Sequence, residues 1–138
     1  MNEIKIPYLF VIPIILSLVL LLTIFLLRKK IIKNNLQKLF WISFSFFLLI
    51  YILIVSSALY DDIYCQWDLN RYDLNKDGFF GGSEITKDQE AAMQRLISDT
   101  GRTFSIFTGL IFSGLISSLL FLVGFGVEKF KRLKKEEK

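Results

Sequence analysis

Three long stretches without a charged side chain constrain this 138-residue chain more than any other feature of its sequence. Residues 6–27, 39–60 and 103–127 contain no Asp, Glu, Lys or Arg, and each stretch has at least 22 residues. A helix rises about 1.5 Å per residue, so each stretch can cross a hydrocarbon layer of about 30 Å. Hydrophobic residues make up 53% of the chain, which leaves too little polar surface to cover three such stretches in a soluble domain. The sequence therefore predicts an all-α membrane protein with three transmembrane helices.

The charged residues are confined to the segments between these stretches, and their signs predict an orientation. Residues 28–38 carry five bases and no acid, and residues 128–138 carry six bases and three acids. Residues 61–102 carry nine acids and five bases. By the positive-inside rule, both basic segments are cytoplasmic, whereas the N-terminus and residues 61–102 are extracytoplasmic. The basic segments either only anchor the spans or also bind anionic lipid headgroups.

The first stretch has a second interpretation, as the apolar core of a secretion signal. The segment before it is only weakly basic, because Glu3 accompanies Lys5. No small-residue cleavage pattern follows it, and the chain continues instead with Arg28, Lys29 and Lys30. Basic residues at this point are typical of a span that stops on the cytoplasmic side. We therefore expect residues 6–27 to remain as the first transmembrane helix.

Residues 73–84, with the sequence DLNKDGFFGGSE, place oxygen-bearing side chains at regular intervals. Asp73, Asn75 and Asp77 alternate, so a tightly curled loop can direct all three side chains toward one point. Gly78 follows, where such a turn needs a backbone conformation that is costly for other residues. Glu84 is long enough to offer both carboxylate oxygens. This spacing predicts a site for a hard cation, which prefers six to eight oxygen ligands; the alternative is a solvated turn without metal.

The same twelve residues resemble the calcium-binding loop of the EF-hand family, and every position of its pattern is met. The resemblance implies Ca²⁺ as the ligand, with Mg²⁺ a poorer fit because it demands octahedral geometry. It also implies the ligand set, which combines side-chain oxygens with one backbone carbonyl: Asp73, Asn75, Asp77, the carbonyl of Phe79, and Glu84. The fold expected between the second and third spans is accordingly an EF-hand-like helix-loop-helix.

The segments on either side of the loop are predicted to be helical and to lead directly into the membrane. Tyr60, Tyr64 and Trp67 fall at i, i+4 and i+7, which indicates that the second helix runs on beyond its apolar stretch. Residues 87–98, KDQEAAMQRLIS, consist mostly of good helix formers. Gly101 then predicts a C-terminal cap and a possible hinge before the third span.

The chain contains no second loop of this kind, although EF-hands normally occur in pairs. Their pairing contact involves the eighth loop position, which is Phe80 in this sequence. Three arrangements are open: the loop pairs with the same loop of another copy, it docks on a partner protein, or Phe80 packs on its own neighbours.

Small residues recur every four positions along one side of the third span, at Ser105, Gly109, Ser113 and Ser117. Such a stripe lets helix backbones approach closely inside a membrane. It packs either against another span of the same chain or against a partner subunit or second copy. A partner subunit or a homo-oligomer held through this stripe, together with membrane lipid, is the expected set of partners.

The residue types that the chain lacks argue against an enzyme and against nucleic-acid binding. The chain has no histidine, Cys65 is its only cysteine, and no nucleotide-binding or nucleophile motif occurs. We therefore predict an integral membrane calcium-binding protein whose loop is calcium-responsive or calcium-stabilised, within a larger membrane complex. The alternatives are an accessory or scaffold subunit without a switching role, and a homo-oligomeric calcium-gated pore.

Overall fold

The computed structural model describes residues 4–98 and 100–136, and within these ranges the chain is helical without any strand. Helix α1 spans Tyr8–Ile31, α2 spans Asn35–Asn70, α3 spans Lys87–Ile97 and α4 spans Thr100–Glu136. Three of these helices, α1, α2 and α4, are long and apolar enough to cross a membrane. The prediction of an all-α chain is confirmed for these residues, and so is the prediction of three helices long and apolar enough to span a membrane.

The connection between α1 and α2 is short, and the helix ends on both sides of it are well defined. Three basic residues, Arg28, Lys29 and Lys30, occupy the last turn of α1, where positive charge interacts favourably with the helix dipole. Asn34 caps α2, and its side-chain oxygen accepts a hydrogen bond from the Gln37 N–H at 2.8 Å. A connection of this length brings α2 back antiparallel to α1.

Helix α2 is the centre of the molecule, and α1 and α4 pack against it in antiparallel orientation. On the α1 side, Phe10 lies in a buried cluster with Tyr51, Val55 and Ala58. On the α4 side, Asn35 at the start of α2 donates to Glu128 near the end of α4, at 2.6 Å. We call the end of the molecule that carries residues 61–98 the loop end.

One face of α2 is buried from Leu48 to Leu69. Its positions recur at intervals of three and four residues, which is the spacing found in left-handed coiled coils. Beyond the apolar stretch the same face continues toward the loop end, where it includes the charged residue Asp62. The buried members of this face are Leu48, Tyr51, Val55, Ala58, Asp62 and Leu69.

The small-residue stripe of α4 packs against α2 of the same chain. Ser113 is completely buried, and the Ser117 hydroxyl donates to the Ser43 carbonyl at 2.6 Å. A Cβ atom at Gly109 would lie 3.2 Å from Ile54 Cγ2, so the glycine permits a close approach of the two helices. Of the two arrangements that the sequence left open, the structure has the one within the chain. A partner subunit or second copy held through this stripe stays a prediction.

The interruption between α3 and α4 lies before Gly101, not at it. Ser98 is the C-cap of α3, and Gly101 is already helical within α4, so the predicted position of the break is wrong. The carbonyl of Leu96, in the last turn of α3, accepts a hydrogen bond from the Arg102 guanidinium at 2.7 Å. The Arg102 side chain therefore satisfies a carbonyl at the C-terminus of α3, and the expected glycine cap at Gly101 is not used.

Candidate metal centre

The backbone of the predicted loop curls because three of its residues, Lys76, Gly78 and Gly82, have positive φ angles, and the first two make the tight turn. Helix α2 ends at Asn70, and Lys76 and Gly78 then have φ angles of 61° and 88°. Glycine adopts positive φ without steric cost, whereas a lysine does so only where its surroundings impose it. Lys76 is the one non-glycine residue with positive φ in the described part of the chain. The tight turn predicted at Gly78 is therefore present.

The short polar side chains of the loop hold this curl through hydrogen bonds to nearby backbone N–H groups. Asp73 Oδ2 accepts from the Gly78 N–H at 3.0 Å, across the turn. Asn75 Oδ1 accepts from the Asp77 N–H at 2.9 Å, and Asp77 Oδ1 accepts from the Phe79 N–H at 2.8 Å. These are side-chain turns of the kind that Asp and Asn form readily. Three of the predicted ligand side chains thus shape the loop.

Glu84 closes the loop by bonding to its opposite side. Its Oε1 accepts from the Leu74 N–H at 2.9 Å and from the Asn75 N–H at 3.1 Å, while Oε2 accepts from the Gly81 N–H at 3.3 Å. The residue is only 6% exposed. Three backbone N–H groups bond to the carboxylate but leave the net charge of a buried carboxylate uncancelled, which is costly.

The predicted ligands divide into two groups by exposure. Asp73 and Glu84 are buried, whereas Asn75 and Asp77 are exposed and hydrogen-bond each other at 2.8 Å. The Phe79 side chain is 78% exposed, so this residue offers the loop only its backbone. Within residues 4–98 and 100–136, no three Asp, Glu, Cys or His side chains meet as a ready metal cluster.

The residues of the loop nevertheless fit a calcium ion in their chemistry. All the predicted donors are oxygens, which Ca²⁺ prefers, and two of them come from buried carboxylates. Glu84 Oε2 accepts one N–H bond and keeps a lone pair for a metal, whereas Oε1 accepts two and would have to give up one of them to bind as well. Asn75 and Asp77 would have to turn inward to complete a set of six or more oxygens.

The chain after the loop departs from the expected helix-loop-helix. Gly82–Glu84 form a single 3-10 turn, Ile85 is extended, and α3 begins only at Lys87. Thr86 is the N-cap of α3 and accepts a hydrogen bond from the Gln89 N–H at 3.1 Å. The pattern Thr-x-x-Gln is a recognisable helix start, and this signal was missed in the sequence. Two residues thus separate Glu84 from the following helix.

Phe80, at the predicted pairing position, packs beside residues of its own chain. It lines a shallow groove together with Ile85, Met93 and Ile97. Of the three arrangements left open by the sequence, this one is present in the structure; pairing with another copy and docking on a partner stay predictions.

A polar network at the loop end, which sequence reasoning did not predict, centres on Asp62 of α2. Asp62 Oδ2 accepts from the Gln66 side chain at 2.8 Å, and Asp62 Oδ1 lies 3.8 Å from Arg102 Nε. Arg102 also donates to Cys65 Sγ at 2.9 Å. Gln66 in turn exchanges two hydrogen bonds with the backbone of Lys5, at 2.8 and 3.0 Å. The network therefore joins the N-terminal segment, α2 and α4.

A second link holds α3 against α2 nearer the loop. Arg95 of α3 lies 3.2 Å from Asp68 of α2, and Arg71 lies 3.8 Å from the same carboxylate. Beside them Leu69 and Ala92 are buried at 6% and 1% exposure. Helix α3 is consequently fixed on α2 by contacts that do not involve the predicted calcium ligands.

One signal in the sequence could have revealed the network. The buried face of α2 recurs every three or four residues through Val55 and Ala58, and its next position is Asp62. A carboxylate on a face that is buried elsewhere requires a partner. Arg102 is the basic residue next to the third apolar stretch, so it was the natural candidate.

Comparison of the chain with protein-family models, with curated proteins and with solved structures finds no match.

Proposed function

We propose that this chain is an integral membrane protein that binds Ca²⁺ in residues 73–84, and that calcium stabilises the loop between α2 and α3. The observation that carries the proposal is the arrangement of Glu84, a buried carboxylate that receives only backbone N–H groups from both sides of the loop. A divalent cation would neutralise this charge together with that of the buried Asp73. The resemblance to the EF-hand loop points to the same ion.

Stabilisation is favoured over switching because α3 is held on α2 independently of the loop. The Asp68–Arg95 ion pair joins the two helices directly, and Leu69 of α2 and Ala92 of α3 are both buried. Calcium that entered the loop would then order residues 73–84 without having to move α3. Binding to the folded state raises stability by mass action.

A calcium titration of Trp67 fluorescence tests the proposal. The chain has two tryptophans, so the Trp41→Phe variant leaves Trp67 as the only reporter, six residues before Asp73. We expect a saturable change in emission in this background and its loss in Glu84→Gln. Glu90→Gln is the matched control, since it removes the same charge from an exposed position on α3. A titration without any response in the Trp41→Phe background would contradict calcium binding.

Calcium-dependent switching is the second candidate, and the interruption between α3 and α4 favours it. Helix α3 ends at Ile97 and α4 begins at Thr100, so movement of α3 need not bend a continuous helix. Disulfide trapping between α2 and α3 in a Cys65→Ser background, with and without chelator, separates the candidates. Equal trapping supports stabilisation, and calcium-dependent trapping supports the switch.

The orientation and the complex belong to the same proposal. Basic residues flank the end opposite the loop, and this asymmetry supports a cytoplasmic C-terminus and an extracytoplasmic loop. Protease protection of residues 61–98 in sealed vesicles tests this orientation.

Gentle isolation followed by identification of the co-purified proteins tests whether the chain is an accessory subunit of a larger complex. Ion flux through liposomes with the purified protein tests the pore.

A further inference from the structure

Arg102 contacts two other helices at the point where α3 gives way to α4. Its Nε lies 3.8 Å from Asp62 of α2, and its two terminal nitrogens reach Cys65 of α2 and the Leu96 carbonyl of α3. A guanidinium group has five donors in a rigid plane, so one side chain can make all three contacts. A lysine offers a single ammonium and cannot span them. Arg102 thus connects α4 with α2 and with the end of α3.

The ion pair between Asp62 and Arg102 is buried on both sides. The side chains are 10% and 13% exposed, next to the predicted membrane boundary. Buried ion pairs contribute little net stability, because the loss of hydration offsets most of their attraction. Removal of Arg102 is nonetheless damaging, because it leaves the Asp62 carboxylate buried without its ion pair. A pair of this kind therefore favours one arrangement of the helices over its alternatives.

Helix α3 depends on such contacts more than the spanning helices do. It has eleven residues, and isolated helices of this length are marginal in water. Only two of its described side chains, Gln89 and Ala92, are buried. The spans are instead held by contacts far from Arg102, such as that of Ser117 with Ser43. The hold on α3 and the assembly of the spans therefore rest on different residues.

We propose that the Asp62–Arg102 pair is a conformational lock on α3. While the pair is closed, Arg102 holds the last turn of α3 against α2 through the Leu96 carbonyl. Opening of the pair removes the hold of α4 on the end of α3, so α3 opens more often against its remaining Asp68–Arg95 contact, and the three spans stay assembled. The lock acts without calcium, so it is independent of the proposed metal binding.

Hydrogen exchange of the protein in lipid nanodiscs, with chelator present throughout, tests the lock. In Arg102→Gln and in Asp62→Asn we expect the amides of α3 to exchange about tenfold faster or more. The first variant loses the charged hydrogen bond to the Leu96 carbonyl, and the second loses the ion pair that holds Arg102 in place. The amides of residues 43–58 and 109–117 should exchange as in the unmodified protein. Asp62→Asn is nearly isosteric and keeps an acceptor for Gln66, so it tests the charge with little change in packing.

Two variants with the same charge changes serve as controls. Asp61→Asn alters the exposed neighbour of Asp62, and Arg132→Gln removes an arginine from the far end of α4. Faster exchange confined to α3 in the two lock variants, with both controls unchanged, supports the proposal. Unchanged α3 exchange in Arg102→Gln and Asp62→Asn overturns it. Equal acceleration of α3 and the spans also overturns it, because the pair would then hold the whole fold and not α3 alone.

Discussion

The bundle of the three long apolar helices is stabilised by one kind of interaction, and the loop end of this protein is stabilised by another. Between α2 and α4 the contacts come from small residues, such as Gly109 against Ile54, and from apolar side chains. At the loop end they come from charges and backbone groups, such as Arg95 with Asp68 and Glu84 with the loop N–H groups. Lipid tails are as apolar as the helices, so close approach decides packing inside a membrane. Outside it, a short amphipathic helix needs ion pairs and caps.

The largest expected effect concerns the close packing between the long apolar helices. Gly109→Leu should destabilise the assembly of the spans by about 3 kcal/mol, because the added atoms meet Tyr51 and Ile54 where a Cβ already has neighbours at 3.2–3.4 Å. Thermal unfolding in detergent measures the change. Gly126→Leu is the control in the same helix, since a Cβ there meets no atom within 4 Å. Equal melting temperatures for the two variants would contradict close packing at Gly109.

The next effect concerns calcium at the loop end. At a free concentration about ten times the Kd, calcium should stabilise the loop by about 1.4 kcal/mol, whereas the contacts between the spans should not respond. Proteolysis of residues 73–84 with and without chelator measures the change, and Glu84→Gln should abolish it. Protection that persists in Glu84→Gln would argue that calcium acts elsewhere.

Removal of the α3 cap should have a smaller and more local effect. Thr86→Ala loses the hydrogen bond from the Gln89 N–H and should destabilise α3 by about 1 kcal/mol. Hydrogen exchange of the first α3 turn is the measurement. Thr86→Ser keeps the hydroxyl acceptor and should behave as the unmodified protein. Comparable acceleration in both variants would show that the hydroxyl does not cap the helix.

The smallest effect tests hydrogen bonding within the membrane. Ser117→Ala removes the donor to the Ser43 carbonyl and should cost about 0.6 kcal/mol, the average for such bonds between membrane helices. Thermal unfolding of Ser117→Ala against Ser118→Ala, an exposed neighbour, measures it. A loss several times larger would mean that polar contacts, and not close approach, hold the spans.

The sequence predicted the parts of the fold that depend on local composition. The uncharged stretches indicated three spans, and the spacing of Tyr60, Tyr64 and Trp67 indicated that α2 continues beyond the membrane. In the structure the rings of these residues pack in a row, with centroids 6.2 and 5.8 Å apart, on an exposed face. The turn at Gly78 was also predictable, because its conformation is a property of the residue. Calcium binding by the loop stays a prediction.

Tertiary structure alone decided which of these surfaces meet. The stripe from Ser105 to Ser117 was compatible with packing against a partner or against the same chain, because small residues allow close approach but do not specify the neighbouring helix. Gly101 suggested a break, but the Leu96 carbonyl is satisfied by Arg102, a residue of the next helix. Asp62 and Arg102 are 40 positions apart in the sequence, and only the antiparallel packing of α2 and α4 brings them to 3.8 Å. Local sequence thus fixed the helices, and long-range contacts fixed how they are joined.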